Sequence, residues 1–181
     1  MEPIEFEFDS NKLGRVQIDL SKVPAGTVHL GGGAPPSGIL TAVTWFSRNL
    51  IEKRGLPPAS ICGVLPYLDA PMDEEHFTQN HQFIQALHKL NLNSLDPDLL
   101  AFAKATIEPA VAIIDQRSTD PNGDVPLQDI IGQYSIVAGR VQGYQPNSAY
   151  RLITSQGIFK LTPWIRKSIV EVVVHGKLPR D

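Results

Sequence analysis

Apolar and polar residues alternate near the start of the chain. Isoleucine and phenylalanine residues at 4–8 are separated by acids, and the alternation resumes at 16–20 after the turn-forming residues SNKLG. Period-two alternation on both sides of a turn predicts a β-hairpin with one buried face. The segment 21–38 that follows is rich in glycine and proline, which predicts a loop with at most a short strand at 27–30.

Apolar residues then recur at helical spacing, which predicts three helices in the middle of the chain. Capping residues at the start and glycine or proline at the end set the bounds of these helices. The predicted helices are one over 37–54 capped by Ser37 and ended by Gly55, one over 73–90 begun by three acids, and one begun by Asp96 and Pro97 and stopped by Glu108 and Pro109.

Further apolar segments predict the remaining strands and a C-terminal helix. The run 110–115 lacks alternation, which is typical of a strand buried on both faces in the middle of a sheet. The segment 61–68 is interrupted by glycine and proline, which favours either a short edge strand or an extended buried connection. Residues 134–161 predict two hairpins, and Thr162 with Pro163 predicts the start of a final helix.

The predicted helices are segregated in the middle of the chain, apart from most of the strands. This order predicts an α+β fold with a mostly antiparallel sheet and one C-terminal helix, because a doubly wound sheet would alternate strands and helices regularly. The sequence has no internal repeat and no low-complexity linker, so we expect a single domain over residues 1–181.

Composition indicates a folded protein. Of the 181 residues, 42% are hydrophobic and 19% are charged, a balance that allows a core to form. The single cysteine, Cys62, cannot form an intramolecular disulfide, which favours a reducing, cytoplasmic location. The acidic N-terminus does not resemble a secretory signal, and no apolar run reaches the ~18 residues of a membrane-spanning helix. We therefore expect a soluble protein without membrane contact.

Charge is distributed unevenly along the chain. Residues 1–139 hold 17 acids and 9 bases, a net charge of −8, whereas residues 140–181 hold 2 acids and 7 bases, a net charge of +5. Basic residues such as Arg166 and Lys167 are interleaved there with aromatic residues, a combination that binds single-stranded nucleic acid by phosphate contact and base stacking. The overall net charge of −3 argues against that partner, and the same bases are suited to pairing with acids elsewhere in the chain.

The string HLGGGAPPSG at 29–38 has the clearest mechanism for binding a ligand. Gly31, Gly32 and Gly33 let the backbone approach a ligand closely, and Ser37 is predicted to begin a helix whose free amides would attract phosphate or carboxylate. His29 borders the loop and is the histidine that we consider for catalysis. The string matches neither the phosphate-loop motif nor the dinucleotide fingerprint, and tight turning between elements explains the glycines equally.

Two charged residues, Asp115 and Arg117, lie at and just beyond the end of the apolar run 110–115. The end of a strand is a position where a scaffold often presents chemistry. Turn chemistry alone also explains an aspartate there, and the two side chains are suited to pairing with each other. We favour the structural role.

No metal site or cofactor is predicted. His81 and His88 lie on one predicted helix face but two turns apart, about 10 Å by helix rise, which is too far for one metal ion to bind both. Cys62 lies in apolar sequence, where a thiol is inert. Ser37 lacks the flanking pattern of a hydrolase nucleophile.

The absence of an enzyme motif favours a non-catalytic binding or regulatory module. Its partner would be another protein or a small anionic ligand, with nucleic acid the less favoured partner. The first alternative is an enzyme that acts on a phosphorylated or carboxylated small molecule at the 29–38 loop. The second alternative is contact of the basic C-terminal quarter with single-stranded nucleic acid.

Overall fold

The computed structural model of the chain describes residues 12–31, 37–120 and 123–176. Within these ranges the chain forms four α-helices and nine β-strands, and the strands pair antiparallel. The predicted α+β fold with a C-terminal helix is thus confirmed. Contacts group the chain into two compact units, residues 1–86 with 152–158 and residues 87–151 with 159–181. The single domain stays a prediction.

The first unit is built on a four-stranded antiparallel sheet. A separate two-stranded hairpin lies in the same unit. In order across the sheet, the strands are β1 (Gly14–Asp19), β2 (Ile39–Thr44), β3 (Ile61–Leu65) and β4 (Thr78–Gln79); helix α1 (Arg48–Arg54) follows β2 in the chain, and the hairpin joins β8 (Ile153–Thr154) to β9 (Gly157–Ile158).

The inner strands of this sheet supply the core of the first unit. Every residue of β3 is buried, and a hydrophobic cluster joins residues of β1, β2 and β3 to Val28. Gly63 in β3 leaves room for the ring of Phe77, because a Cβ at position 63 would lie 2.2 Å from that ring. Cys62 is buried, and burial raises the pKa of its thiol, which makes it a packing residue.

The second unit contains a three-stranded antiparallel sheet of β5 (Ala110–Ile114), β6 (Ile130–Val137) and β7 (Arg140–Pro146), with β6 in the centre. The turn between β6 and β7 has positive φ angles at Ala138 and Gly139, 49° and 71°. Two consecutive positive φ angles are what a type I′ hairpin turn requires, so the predicted hairpin at this position is confirmed.

Three helices accompany this sheet in the chain. Helix α2 (His81–Asn93) crosses from the first unit to the second after residue 86. Helix α3 (Pro97–Ala105) is capped by Asp96, and helix α4 (Pro163–His175) is capped by Thr162, as the sequence predicts. Each capping side chain accepts a hydrogen bond from a backbone amide of the first turn, which is the reason that the cap-then-proline signal identifies a helix start.

The predicted helix beginning at Ser37 is wrong in its first half. Residues 39–44 form β2, and α1 begins only after Ser47, whose Oγ accepts from the amide of Leu50 at 3.3 Å. Gly55 ends the helix with a φ of 74°, as predicted. The segment ILTAVT is rich in β-branched residues, and it pairs with β1 on one side and β3 on the other. Pairing with two distant strands overrides the local helical spacing.

The acids at 73–75 do not begin a helix either. The Asp73 carboxylate accepts from the amides of Glu75 and His76 at 3.1 and 3.0 Å, which closes a turn, and α2 begins only at His81. Because hydrogen bonds to the charged form favour it, those from His76 and Glu75 lower the pKa of this carboxyl.

Three strand predictions also need correction or lie outside the described residues. The run 110–115 is predicted to be a central strand, but it forms an edge strand with alternating exposure. The sequence hides this alternation because the exposed positions carry alanine, which is itself apolar. Residues 61–65 form an inner strand, neither an edge strand nor a connection. The prediction of at most a short strand at 27–30 is not contradicted, since these residues form none. The predicted strand at 4–8 lies outside the described residues.

Candidate functional site

A cleft of about 330 Å³ opens in the second unit. One wall is the C-terminal end of α2 and the loop after it, and the other is β7 together with Tyr134 of β6. The residues that line it are Leu92, Asn93, Ser94, Leu95, Tyr134, Val141, Gln142, Gly143 and Tyr144. This volume lies at the lower end of the range for ligand pockets.

Two tyrosines and a histidine organise the cleft. The rings of Tyr134 and Tyr144 are 5.1 Å apart on paired strands, and the Tyr134 hydroxyl donates to the carbonyl of Asn91 at 2.5 Å. The Tyr144 hydroxyl lies 2.8 Å from Nδ1 of His88 on α2. Gly132 makes room for Tyr144, since a Cβ at position 132 would lie 2.5 Å from its hydroxyl oxygen. The Tyr144 ring is therefore held from the strand side and from the helix side.

The backbone of β7 forms part of the cleft wall. Residues 141–144 line the cleft as four consecutive positions, although successive side chains of a strand point to opposite faces. A wall made of consecutive residues must therefore include the backbone of the strand. Among the strands that the structure describes, β7 pairs only with β6, so no described strand occupies its outer edge.

The side chains that line the cleft are uncharged. Burial raises the pKa of the Tyr134 and Tyr144 hydroxyls, and burial lowers the pKa of the nearby His88 imidazole. These shifts favour the neutral form of each group, because a charge is poorly solvated when buried. The cleft therefore suits a neutral ligand and offers an anion no formal charge.

A smaller cavity of about 160 Å³ shares Tyr134 with the cleft. It is bordered by apolar residues of β5 and by Asp96 and Thr162. The Asp96 and Thr162 side chains already cap α3 and α4. We assign this cavity to the packing of the unit.

Asp115 and Arg117, both proposed from the sequence as site residues, meet in a buried network of charges. Arg117 Nε donates to Asp129 Oδ1 at 2.8 Å, and Nη2 lies 3.7 Å from Asp115 Oδ2. Nη2 also donates to the backbone carbonyls of Gln128 and Arg151. The guanidinium thus contacts three segments of the chain, at residues 115, 128–129 and 151.

The Asp115 carboxylate is surrounded by donors. Oδ1 accepts from the amides of Arg117 and Lys160 at 3.0 and 2.7 Å, and Oδ2 accepts from the Tyr150 hydroxyl at 2.8 Å. Burial nevertheless raises the pKa of the Asp115 carboxyl, and it raises the pKa of Tyr150 as well. In the part of the chain that the structure describes, the buried Oδ2 of Asp129 has no hydrogen-bond partner. Asp115, Arg117 and Asp129 are all buried, and the structural role favoured for Asp115 and Arg117 stays a prediction.

The glycine loop is only partly described. Gly32 and Gly33 lie outside the described residues, whereas His29, Gly31 and Ser37 lie within them. Ser37 precedes β2, so the loop does not lead into a helix at that point. No helix therefore follows Ser37 directly to attract an anion with its free amides and dipole. His29 belongs to the first unit and is near His81, whereas Asp115 and Arg117 belong to the second unit.

The two bases considered for nucleic-acid contact lie on α4. Lys167 is exposed, whereas Arg166 is half-buried. Arg166 Nε is buried and, among the described residues, has no hydrogen-bond partner. The two side chains therefore do not present equally accessible charges.

Sequence reasoning missed the cleft residues. Tyr134 and Tyr144 stand at near-mirrored positions around the 138–139 turn, which is a local signal of an aromatic cross-strand pair. No comparable signal connects them to residues 92–95, because that contact joins segments about 40 to 50 positions apart.

The described residues show neither a cluster of metal-binding side chains nor a membrane-spanning helix. They contain no group of three or more His, Cys, Asp or Glu side chains arranged to hold a metal ion. None of their helices combines the length and the apolar character needed to cross a membrane.

Comparisons of the chain with models of known protein families, with curated proteins and with solved structures find no match.

Replacing Arg117 with Met tests the buried network. The change leaves Asp115 and Asp129 buried without their cation, so we expect a loss of about 3–5 kcal/mol in the free energy of unfolding. Urea denaturation measures it. Arg151→Met is the matched control, because it removes the same charge from an exposed side chain whose backbone carbonyl still accepts from Arg117. Equal effects of the two changes would contradict the anchoring role.

Replacing Asp115 with Asn tests the sign of its pKa shift. When the pKa of a carboxyl is higher in the folded protein than in the unfolded one, the protein loses stability as the pH rises from the unfolded pKa, near 3.8, through the folded pKa. The wild type shows this loss, and Asp115→Asn, which has no carboxyl at this position, does not. The unfolding free energy of the variant relative to wild type should therefore increase as the pH rises above about 4. A constant or decreasing difference would show that the folded carboxyl is not destabilised by burial.

Proposed function

We propose that the protein is a non-catalytic binding module that holds an extended segment of a partner protein along the open edge of β7. The proposal rests on two observations: the backbone of β7 forms part of one wall of the cleft, and no described strand pairs with the outer edge of β7. Main-chain hydrogen bonds to a sheet edge provide affinity in this mode of recognition, and pockets for alternate side chains provide specificity.

The chemistry of the cleft supports a peptide as the occupant. Apolar side chains and two tyrosine rings line it beside the amide and hydroxyl groups of Asn93, Gln142 and Ser94. This mixture of apolar and neutral polar surface matches a peptide backbone that carries an uncharged apolar side chain. A cleft of about 330 Å³ would take one part of such a segment, while the remainder lies along β7.

The rim of the cleft offers apolar surface to a partner. Leu92 is 65% exposed on the last turn of α2. An exposed leucine beside an aromatic cleft is a suitable contact for the side chain that enters it, because burying a leucine contributes about 1.5–3 kcal/mol.

We further propose a reducing, cytoplasmic location. It is supported by the presence of one cysteine, Cys62, and by its burial.

The binding test begins with selection of peptides from a displayed library of random 12-residue sequences, followed by synthesis of the strongest binder. Leu92→Lys should weaken the affinity for that peptide about 10- to 100-fold, as the loss of a buried leucine contact predicts. Leu127→Lys is the matched control, since Leu127 is 68% exposed in the same unit and does not line the cleft. Calorimetric titration measures the affinities.

N-methylation of the peptide backbone provides the second half of the same test. Because a strand uses alternate amides for one edge, methyl groups at every second position should abolish binding, and methyl groups at the intervening positions should not. Failure to select any binder, equal losses with Leu92→Lys and Leu127→Lys, or indifference to backbone methylation would each overturn the proposal.

A further inference from the structure

Two histidines of the first unit lie side by side. The ring centroids of His29 and His81 are 5.4 Å apart, with an angle of 49° between the ring planes. His29 is exposed and His81 is half-buried at the first residue of α2. The two rings come from segments 52 positions apart in the sequence.

A buried asparagine fixes the backbone of both histidines. Asn80 is fully buried, and its Oδ1 accepts from the amide of His29 at 2.9 Å. The His29 carbonyl in turn accepts from the amide of His81 at 2.7 Å. Asn80 Nδ2 donates to the carbonyls of Pro58 and Ile61, so the pair is tied to the entry of β3. The backbones that carry the two imidazoles are therefore positioned before any ligand binds.

Gly31 leaves space for the second ring. Its φ is +79°, and a Cβ at this position would lie 2.7 Å from Nε2 of His81. A side chain at position 31 would therefore displace the imidazole. Gly31, considered from the sequence as part of an anion-binding loop, therefore leaves room for the His81 imidazole beside His29.

We propose that His29 and His81 together bind a divalent first-row transition ion of the Ni²⁺, Cu²⁺ and Zn²⁺ group. Imidazole nitrogens suit these ions, and they bind at about 2.0–2.1 Å. At the tetrahedral angle that Zn²⁺ adopts, each ring centroid lies about 3.2 Å from the ion and the two centroids are about 5.2 Å apart. The observed separation of 5.4 Å is close to this value.

The site is an open one. Two imidazoles fill half of a four-coordinate shell, and the remaining positions are available to water or to a ligand from another molecule. Mg²⁺ and Ca²⁺ prefer oxygen ligands, so the pair selects against them. The metal site lies in the first unit and the peptide cleft in the second, and each proposal stands without the other.

Titration with Cu²⁺ alone tests the site. The wild type should bind one equivalent most tightly, and the electron paramagnetic resonance spectrum of that equivalent should show two imidazole nitrogens. His29→Ala and His81→Ala should each weaken this binding about tenfold or more, because each removes one of two ligands. His76→Ala is the matched control, since His76 is a histidine of the same unit whose ring Nδ1 contacts Asp73 at 2.8 Å.

The double variant separates one shared site from two independent ones. If both rings bind the same ion, the second substitution should reduce the affinity for Cu²⁺ much less than the first, since the effects of residues that share a partner are not additive. At a fixed concentration, Cu²⁺ should also raise the melting temperature of the wild type and of His76→Ala by more than that of the two ligand variants. Additive losses, a single-nitrogen spectrum, or an effect of His76→Ala as large as the others would overturn the proposal.

Discussion

The buried guanidinium of Arg117 determines how the sheet of the second unit is assembled. It contacts Asp115, the residue after β5, and Asp129, the residue before β6, and it donates to the carbonyl of Arg151. A buried charge is tolerated only when its partners are in place, so this contact restricts where β5 ends and where β6 begins. Because β6 is the central strand, both β5 and β7 pair with the strand whose start this contact restricts.

The cleft follows from this restriction. With β6 fixed, its hairpin partner β7 places Tyr144 opposite Tyr134, and His88 of α2 contacts the Tyr144 hydroxyl. Among the described residues, the buried charges of the unit are those of the network, Asp115, Arg117 and Asp129, whereas the side chains that line the cleft are neutral. Charge therefore holds the scaffold together, and the surface proposed for recognition relies on backbone and aromatic groups.

Local signals in the sequence predict the parts of the fold that depend on neighbouring residues. Asp96 with Pro97 and Thr162 with Pro163 identify two helix starts, and the 138–139 turn identifies a hairpin. The helix expected at Ser37 is replaced by a strand because β2 is set by pairing with two distant segments.

The candidate sites depend on the same kind of distant contact. The sequence identifies Asp115 and Arg117 as possible partners because they lie two positions apart at the end of a predicted strand. The cleft joins residues 92–95 to β7, and the metal pair joins residues 52 positions apart. Spacing along the chain predicts neither of these, because the contacts form only when separate elements pack.

The most direct test of the proposed binding mode is hydrogen exchange of the sheet amides, measured by NMR with and without a selected peptide. Both β5 and β7 are edges of the same three-stranded sheet, so β5 serves as an internal control. Strand addition predicts slower exchange at alternate amides of β7, whereas exchange in β5 stays unchanged. Saturating peptide that leaves β7 exchange unaltered, or that protects β5 equally, would contradict the account.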